Sequence, residues 1–522
     1  MKRFSFLMAA LFVAMTGCQK EPQVTENGSD AQTVGYVSLQ ISLPSTIGTK
    51  AVEEKFDEGI AKEYNVKNVT VIFYDNDGNY VYHSSVDPRP WKQTTNNQIN
   101  VTGKTEAIKI EQNADRVKKA LVLVNPGNFY AENDFKANFN AQKTLSIANG
   151  AYMLRGLEFD EFFMSNAPYY TENGKFETLV NVTVADDDEK ALANAAAVKV
   201  ERAAAKVSVI ASYGGPATSW IIEGANEYEA YLAGWNLNVT NYDFYAVRNG
   251  YDKTNVTWFD AQGNPINSGL LGSRIYWAVD PNYNSTYTTM SNDFHVVSED
   301  ELNFDDYNFT YCTENTAAVE SMRENQTTAA MIKVCIWPRK ITGENKTWFR
   351  VGLGKTVMTL DELAEMIETK LDEGNMLQHK YTTDELKAKL SEKAGKVVIN
   401  ELDSQRGISL EELIGEVECY KDGMCYYSVK IRHFNDEELD YTTVDGFKNA
   451  FTANGGYSAK DLGRYGVVRN NHYMLTLSGV SAPGSSTIPD PEDELDDQYE
   501  QYVSCSIDVL AWSMRQQSVV LK

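Results

Sequence analysis

The stretch VSLQISL, from Val37 to Leu43, changes between apolar and polar at every residue. Side chains on a strand alternate sides with period two. Val37, Leu39, Ile41 and Leu43 therefore share one face, and Ser38, Gln40 and Ser42 the other. This predicts a half-buried strand that stops at Pro44, in a polar loop leading to Lys50. The same pattern returns far along the chain in YVSCSIDVLAWSM. There Val503, Cys505, Ile507 and Val509 alternate with Ser504, Ser506 and Asp508. A period of two cannot place an apolar stripe on a helix, so both segments are committed to sheet.

Strand signals fill much of the sequence between them. VKNVTVIFYDNDGNYVYH has apolar runs on both sides of Asp77-Gly78, a two-residue hairpin signal. Its DNDG stretch lacks the acids that an EF-type calcium loop needs at Phe73 and at the loop end, so it reads as a turn. KKALVLVNPG, FFMSNAPYY and LVNVTVADD read as short strands, and KANFNAQKTLSIANGA as a patch able to be helical. AVKVERAAAKVSVIASY keeps strand alternation on either side of Arg202-Ala-Ala-Ala, which marks a domain boundary. Beyond it, TTAAMIKVCIW, TWFRVGL, CYYSVKIRHF and NHYMLTLSGV are strands. LDELAEMIETKL and TTDELKAKLSEKAG have helical spacing with Thr or Asp starts, as surface helices inserted between strands. STIPDPEDELDDQYE, with two prolines, reads as a solvated acidic linker.

Many short strands and few helices indicate β-sandwich domains. At 522 residues the chain exceeds one core, so two domains are expected. With 48 Lys and Arg against 73 Asp and Glu, the net charge is -25. A polyanion repels phosphate backbones, which argues against nucleic acid as a partner.

The opening MKRFSFLMAALFVAMTGCQK has a basic start and an apolar run too short for a permanent membrane helix. It ends in small residues before Cys18. This resembles a bacterial lipobox, with Cys18 acylated and QKEPQVTENGSDAQT as a tether; an ordinary signal peptide with an incidental cysteine is the alternative. Five other cysteines are too odd a number for a full disulfide framework. Cys419 and Cys425 flank Lys421-Asp422-Gly423, either as a bridge across a hairpin or as two half-buried thiols. No Cys or His spacing suits a metal, and no cofactor is expected. His83, His295, His379, His433 and His472 each stand alone. No GxSxG, HExxH or P-loop is present, so no catalytic residue is assigned.

The two matched strands have a joint reading. If the first completes a sandwich in cis and the loop at Lys50 is cut, the strand leaves and a groove opens. The Val503 to Val509 strand of a neighbour then enters it. Four anchors at about 1.5–3 kcal/mol each would supply roughly 6–12 kcal/mol before ordering costs. Heterologous contacts that do not close make filaments.

The lipobox, VERAAAKVSV, TTAAMIKV, CYYSVKIRHF, GRYGVVRNNHYMLTLSGV, the acidic segment and AWSMRQQSVVL resemble the Bacteroidales fimbrillins of the type V pilus class. Within them the resemblance is to the major subunits of short (minor) fimbriae. It implies two transthyretin-like or immunoglobulin-like β-sandwich domains, the second with helical insertions. The implied division is a signal peptide to residue 18, a tether and removable strand over 19–50, an N-terminal domain over 51–205, a C-terminal domain over 206–488, and a linker and donor strand over 489–522. It also implies cleavage at Lys50-Ala51 by a trypsin-like Arg/Lys-specific surface protease, with Lys55 a rival site. The implied partners are further copies in a head-to-tail polymer, tip and anchor subunits, and the outer membrane through lipid before maturation. Two other readings stand beside it: a tip adhesin, or a glycan-binding or glycan-processing surface lipoprotein.

Overall fold

The computed structural model describes residues 33–42, 63, 65–86, 92–94, 100–147, 162–171, 176–211, 219–222, 227–250, 278–284, 293–303, 308–374, 381–400, 402, 407–433, 457, 463–496 and 503–511. Cys18, Leu43, Lys50, Ala51, Lys55 and His379 lie outside them. The chain is mainly β.

The N-terminal half is built on a nine-stranded sheet, eight strands along one path and one beside it. Its order is Tyr80–Val86, Val69–Tyr74, Lys119–Val124, Met164–Asn166, Ala196–Arg202, Leu39–Ser42, Asn100–Lys104 and Lys92–Thr94, with Val180–Asn181 beside Lys119–Val124. Val69–Tyr74 is buried along its whole length, and its side chains share one apolar cluster with Leu39, Ile41, Val198 and Val200. The expected Asp77-Gly78 hairpin is present. Asp75 Oδ1 accepts from the Asp77 and Asn79 N–H groups at 3.0 and 2.9 Å, and Gly78 takes the left-handed φ of 81° that the turn requires.

The patch over residues 136–151 is not helical where it is described. Only Glu132–Phe135 ahead of it is helical, and Thr144–Ser146 is a strand paired with Asp243–Tyr245. Its asparagines bind backbone outside any helix. Asn138 Oδ1 accepts from Tyr80 N–H at 3.0 Å, and Asn140 Oδ1 from Gln142 N–H at 2.9 Å. The Asn140 bond is local and competes with helix formation, while the Asn138 bond ties the segment to a distant strand.

The chain passes from one sheet to the next at Ala203, although Phe244, Phe309 and Tyr311 from beyond it share the N-terminal core cluster. Ala196–Arg202 ends in the first sheet system and Ala204–Ala211 begins the second. The C-terminal domain is a sandwich of two four-stranded sheets. One runs Phe309–Thr313, Ala204–Ala211, Asn471–Val480, Val503–Ala511; the other Ser219–Ile222, Tyr228–Asn238, Ala329–Pro338, Met424–Lys430. Val207, Val209, Leu475 and Leu477 from the first meet Leu232, Ile332, Val334 and Val429 from the second in one core.

The predicted helices are Leu360–Glu373 and Thr383–Ser391. Each opens on a capping box, Thr359 with Glu362 and Thr382 with Glu385. They do more than decorate the surface. With Leu410–Ile414 and a four-stranded sheet, they enclose a separate core of Phe349, Leu363, Ile367, Leu386, Leu390 and Cys419 among others. Trp348 ties this unit to the sandwich: it stacks on Tyr420 at 4.0 Å and donates its indole N–H to the Ile336 carbonyl at 2.8 Å.

Candidate functional site

The leading strand Leu39–Ser42 is an interior strand of its sheet. On one side it runs parallel to the last strand of the domain, with Leu39 opposite Ala196 and Ile41 opposite Val198. On the other it runs antiparallel to Asn100–Lys104, with Gln40 opposite Lys104 and Ser42 opposite Thr102. Val37, Leu39 and Ile41 are all 1% exposed or less, as the alternation requires, while Gln40 faces water. Taking this strand away would leave a two-sided slot between Ala196–Arg202 and Asn100–Lys104. Both walls would then expose unpaired backbone groups.

The C-terminal domain repeats the arrangement. Its first strand, Ala204–Ala211, is parallel to Asn471–Val480 and antiparallel to Phe309–Thr313. There the first strand is joined to Arg202 through the Ala203 bend. In the N-terminal domain the equivalent strand leads toward the Lys50 segment.

The tail Val503–Ala511 is not held apart from its own domain, as the sequence reading assumed. It is the edge strand of the first sheet, antiparallel to Asn471–Val480. Val509, Ile507 and Cys505 are in register with Tyr473, Leu475 and Leu477, which are fully buried. An edge strand is bonded on one side only, so releasing it disrupts one ladder instead of two.

The segment before the tail is exposed at Asp490, Glu492, Asp493 and Glu494, as its acidity predicts, but it is tied to the domain and is not a free linker. Leu495 bridges to Arg323, and the Glu324 N–H donates to the Glu494 carbonyl at 2.9 Å. Asp496 is fully buried and accepts from Thr327 Oγ1 at 2.8 Å and Tyr457 OH at 2.6 Å. Hydroxyl donors separated from Asp496 by many residues replace the water that the acidic composition predicted.

The cysteine bridge is absent. Cys419 and Cys425 are free and buried. Cys419 belongs to the sheet and core of the helical unit, and Cys425 pairs with Val334 in the sandwich, so the strands they occupy diverge. Burial pushes both thiols up to about 12, which keeps them protonated and unreactive. His433 is a packing residue: its Nδ1 lies 2.7 Å from Tyr473 OH in the domain interior.

A joint of buried ions at Ala203 gave no signal in the sequence. Glu63, fully buried, receives Lys206 Nζ at 2.9 Å and the Tyr311 hydroxyl at 2.7 Å. Its carbonyl accepts from Arg202 Nε at 2.9 Å. Beside it, Arg248 forms a two-pronged pair with Glu201, and Arg469 Nε meets Glu314 at 3.3 Å while its Nη2 donates to the Tyr245 carbonyl at 2.8 Å. Buried charges persist only when paired and bonded in this way. The joint fixes the chain after the Lys50 segment to both domains, because Glu63 binds Arg202 on one and Lys206 and Tyr311 on the other.

Comparison with known proteins bears on these elements. Residues 418–518 match the family model for the major fimbrial subunit protein type IV, fimbrillin, C-terminal. A search of curated proteins returns no match. Among solved structures, a candidate cell adhesion protein from Parabacteroides distasonis is similar at 8% identity and TM-score 0.40, over 92% of this chain and 98% of that one. A fimbrilin (fimA) from Porphyromonas gingivalis W83 is similar at 13% identity and TM-score 0.37, over 93% and 98%. The tip fimbrial protein Mfa3 from Porphyromonas gingivalis is similar at 11% identity and TM-score 0.32, over 91% and 100%.

Proposed function

We propose that the chain, whose residues 418–518 match the C-terminal fimbrillin family model, is the stalk subunit of a cell-surface fimbria, polymerised by strand exchange. It is a structural protein and not an enzyme. In this reading Cys18 carries lipid on the precursor at the outer membrane. A trypsin-like protease cuts at Lys50-Ala51, and the strand bearing Val37, Leu39, Ile41 and Leu43 leaves. The tail of the next copy, with Val503, Cys505, Ile507 and Val509, takes its place. Tip and anchor subunits would complete the fibre, which would serve adhesion and biofilm formation.

The observation that carries the reading is the interior position of the leading strand. Leu39 and Ile41, buried to 1% or less, lie on a strand between two walls that belong to the rest of the domain, and Val37, equally buried, precedes them on Gly35–Val37, which pairs with Ile108–Ile110. A strand so placed leaves a slot of defined shape when it departs, and an edge strand would not. The tail, bonded along one side, is the more easily released partner.

Purified protein cleaved by a trypsin-like protease should form filaments in the electron microscope, and uncut protein should remain monomeric. Lys50→Ala should block assembly with the monomer still folded. Normal filaments from Lys50→Ala that retain residues 37–43 would overturn the strand-release reading.

A further inference from the structure

A strand given to a neighbour needs a fixed point on its own subunit. The chain between Asn471–Val480 and the tail supplies one. After Val480 it crosses from the first sheet of the sandwich to the outer edge of the second. There Tyr426 N–H donates to the Ser485 carbonyl at 2.8 Å, and Ser485 N–H to the Tyr426 carbonyl at 3.1 Å. The Tyr427 hydroxyl donates to the Ala482 carbonyl at 2.7 Å, and Ser486 Oγ to the Glu418 carboxylate at 2.7 Å. The edge strand Met424–Lys430 is thus covered at Tyr426 by the chain itself.

Further on, residues 492–496 are fastened to residues 322–327. The Glu324 N–H donates to the Glu494 carbonyl at 2.9 Å, the Asn325 N–H to the Glu492 carbonyl at 3.2 Å, and the Asp496 N–H to the Met322 carbonyl at 3.3 Å. The fastening ends in a buried charge. Asp496 is fully buried, and Thr327 and Tyr457 donate to its carboxylate. The buried Lys430 ammonium donates to the Glu324 carbonyl at 3.2 Å and lies 3.8 Å from the Glu324 carboxylate. Burial holds the Lys430 pKa below the usual lysine range, against the pull of Glu324 and Asp496. The next described residues are those of the tail strand itself, Val503–Ala511, held by its one-sided ladder.

The two attachments differ in what exchange returns. Ladder bonds lost when Val503–Ala511 leaves Asn471–Val480 are remade in the receiving slot, which has a backbone wall on each side. The bonds of the Asp496 carboxylate belong to Thr327 and Tyr457 of its own domain. If that segment opened, they would be lost and Lys430 would stay buried with one counter-charge fewer. Stripping a partner from a buried charge disfavours the open form by roughly a hundredfold or more.

On the exchange reading above, we propose that Ser485 to Asp496 stays on its own domain during assembly and that the donated arm departs after Asp496. Val503 is seven residues beyond Asp496. It therefore enters the neighbour's slot at most about 25 Å from the donor's Asp496, which limits how far apart consecutive subunits can sit.

Two disulfide locks test this. Arg323 and Leu495 form an antiparallel bridge flanked by the Glu324–Glu494 and Met322–Asp496 bonds. That makes it a non-hydrogen-bonded pair, with α-carbons close enough for a disulfide. Met474 and Asp508 are in register between Asn471–Val480 and the tail. In a full-length Cys505→Val background, Arg323→Cys with Leu495→Cys locks the fastening, and Met474→Cys with Asp508→Cys locks the tail. Each is oxidised, cut by a trypsin-like protease and viewed by electron microscopy before and after reduction. The 323–495 lock should leave filament yield unchanged. The 474–508 lock should abolish filaments until it is reduced. If the 323–495 lock stops assembly and reduction restores it, the fastening has to open, and the departure point is wrong while exchange stands. If the 474–508 lock leaves assembly unchanged, the tail is not donated, and exchange fails with the inference. Hydrogen exchange on the unsubstituted protein needs no variant to fold. The Glu324 and Asn325 amides should be as protected in filaments as in the cleaved monomer. A loss there of about tenfold or more, the scale of one freed backbone bond, would overturn the inference.

Discussion

Leu39→Ala separates the precursor from the filament. Leu39 is 0% exposed at the start of the leading strand, opposite Ala196 on one wall and with its N–H bonded to Thr105 Oγ1 on the other. Truncating a buried leucine costs about 2–5 kcal/mol, depending on how far the site collapses. At about 1.4 kcal/mol per factor of ten, that raises the population of the open slot roughly 30-fold to several thousand-fold. The precursor should therefore unfold at lower urea by circular dichroism, and after cleavage its leading strand should leave faster. The mature filament should be unaffected, because it no longer contains residue 39. Val200→Ala is the control. Val200 is 1% exposed on Ala196–Arg202, a wall that remains in both states. It should weaken precursor and filament alike, by about 1.5–3 kcal/mol. The two variants are compared by urea melts of the precursor and thermal dissociation of filaments. If Leu39→Ala lowers the dissociation temperature of filaments as much as Val200→Ala does, the leading strand is still in place and the reasoning fails.

Three further outcomes are expected. Glu63→Gln leaves the Lys206 ammonium buried without its carboxylate, and should destabilise the protein by about 3–5 kcal/mol; adding Lys206→Met should recover much of the loss, as read by urea melts of the double variant. Asp280 is buried, which pushes its pKa up to about 7 despite N–H donors from Thr316, Asn282 and Asn241. A raised pKa contributes stability below the unfolded value near 4 that is lost as pH rises to about 7, at up to about 1.4 kcal/mol per pH unit; Asp280→Asn should remove this component from urea melts between pH 5 and 7, and an unchanged slope would show that the carboxyl is already ionised. Cys18→Ala should abolish lipid labelling of the precursor, since only the thiol forms the thioether.

Elements whose code is local could be read directly. Val37, Leu39 and Ile41 alternate because a strand has period two, and they are buried for that reason. The Asp77-Gly78 turn and the Thr359 and Thr382 caps are set by residues within a few positions of each other. The change of sheet at VERAAAKVSV was visible because alternation stops and resumes within one short stretch. Partnership is not local. Nothing in Val503 to Val509 says whether it pairs with its own Asn471–Val480 or with another copy, since a β-ladder accepts any strand of suitable pattern. The acidity of residues 490–497 predicted exposure, yet Asp496 is buried because Thr327, 169 residues earlier, supplies a hydroxyl. Cys419 and Cys425 are close in sequence but join different cores, because the strands around them diverge. Glu63 finds Arg202 across 139 residues and Tyr311 across 248. A buried charge is tolerated only where folding delivers its counter-charge, so the ionic joint between the domains was decided by tertiary structure alone.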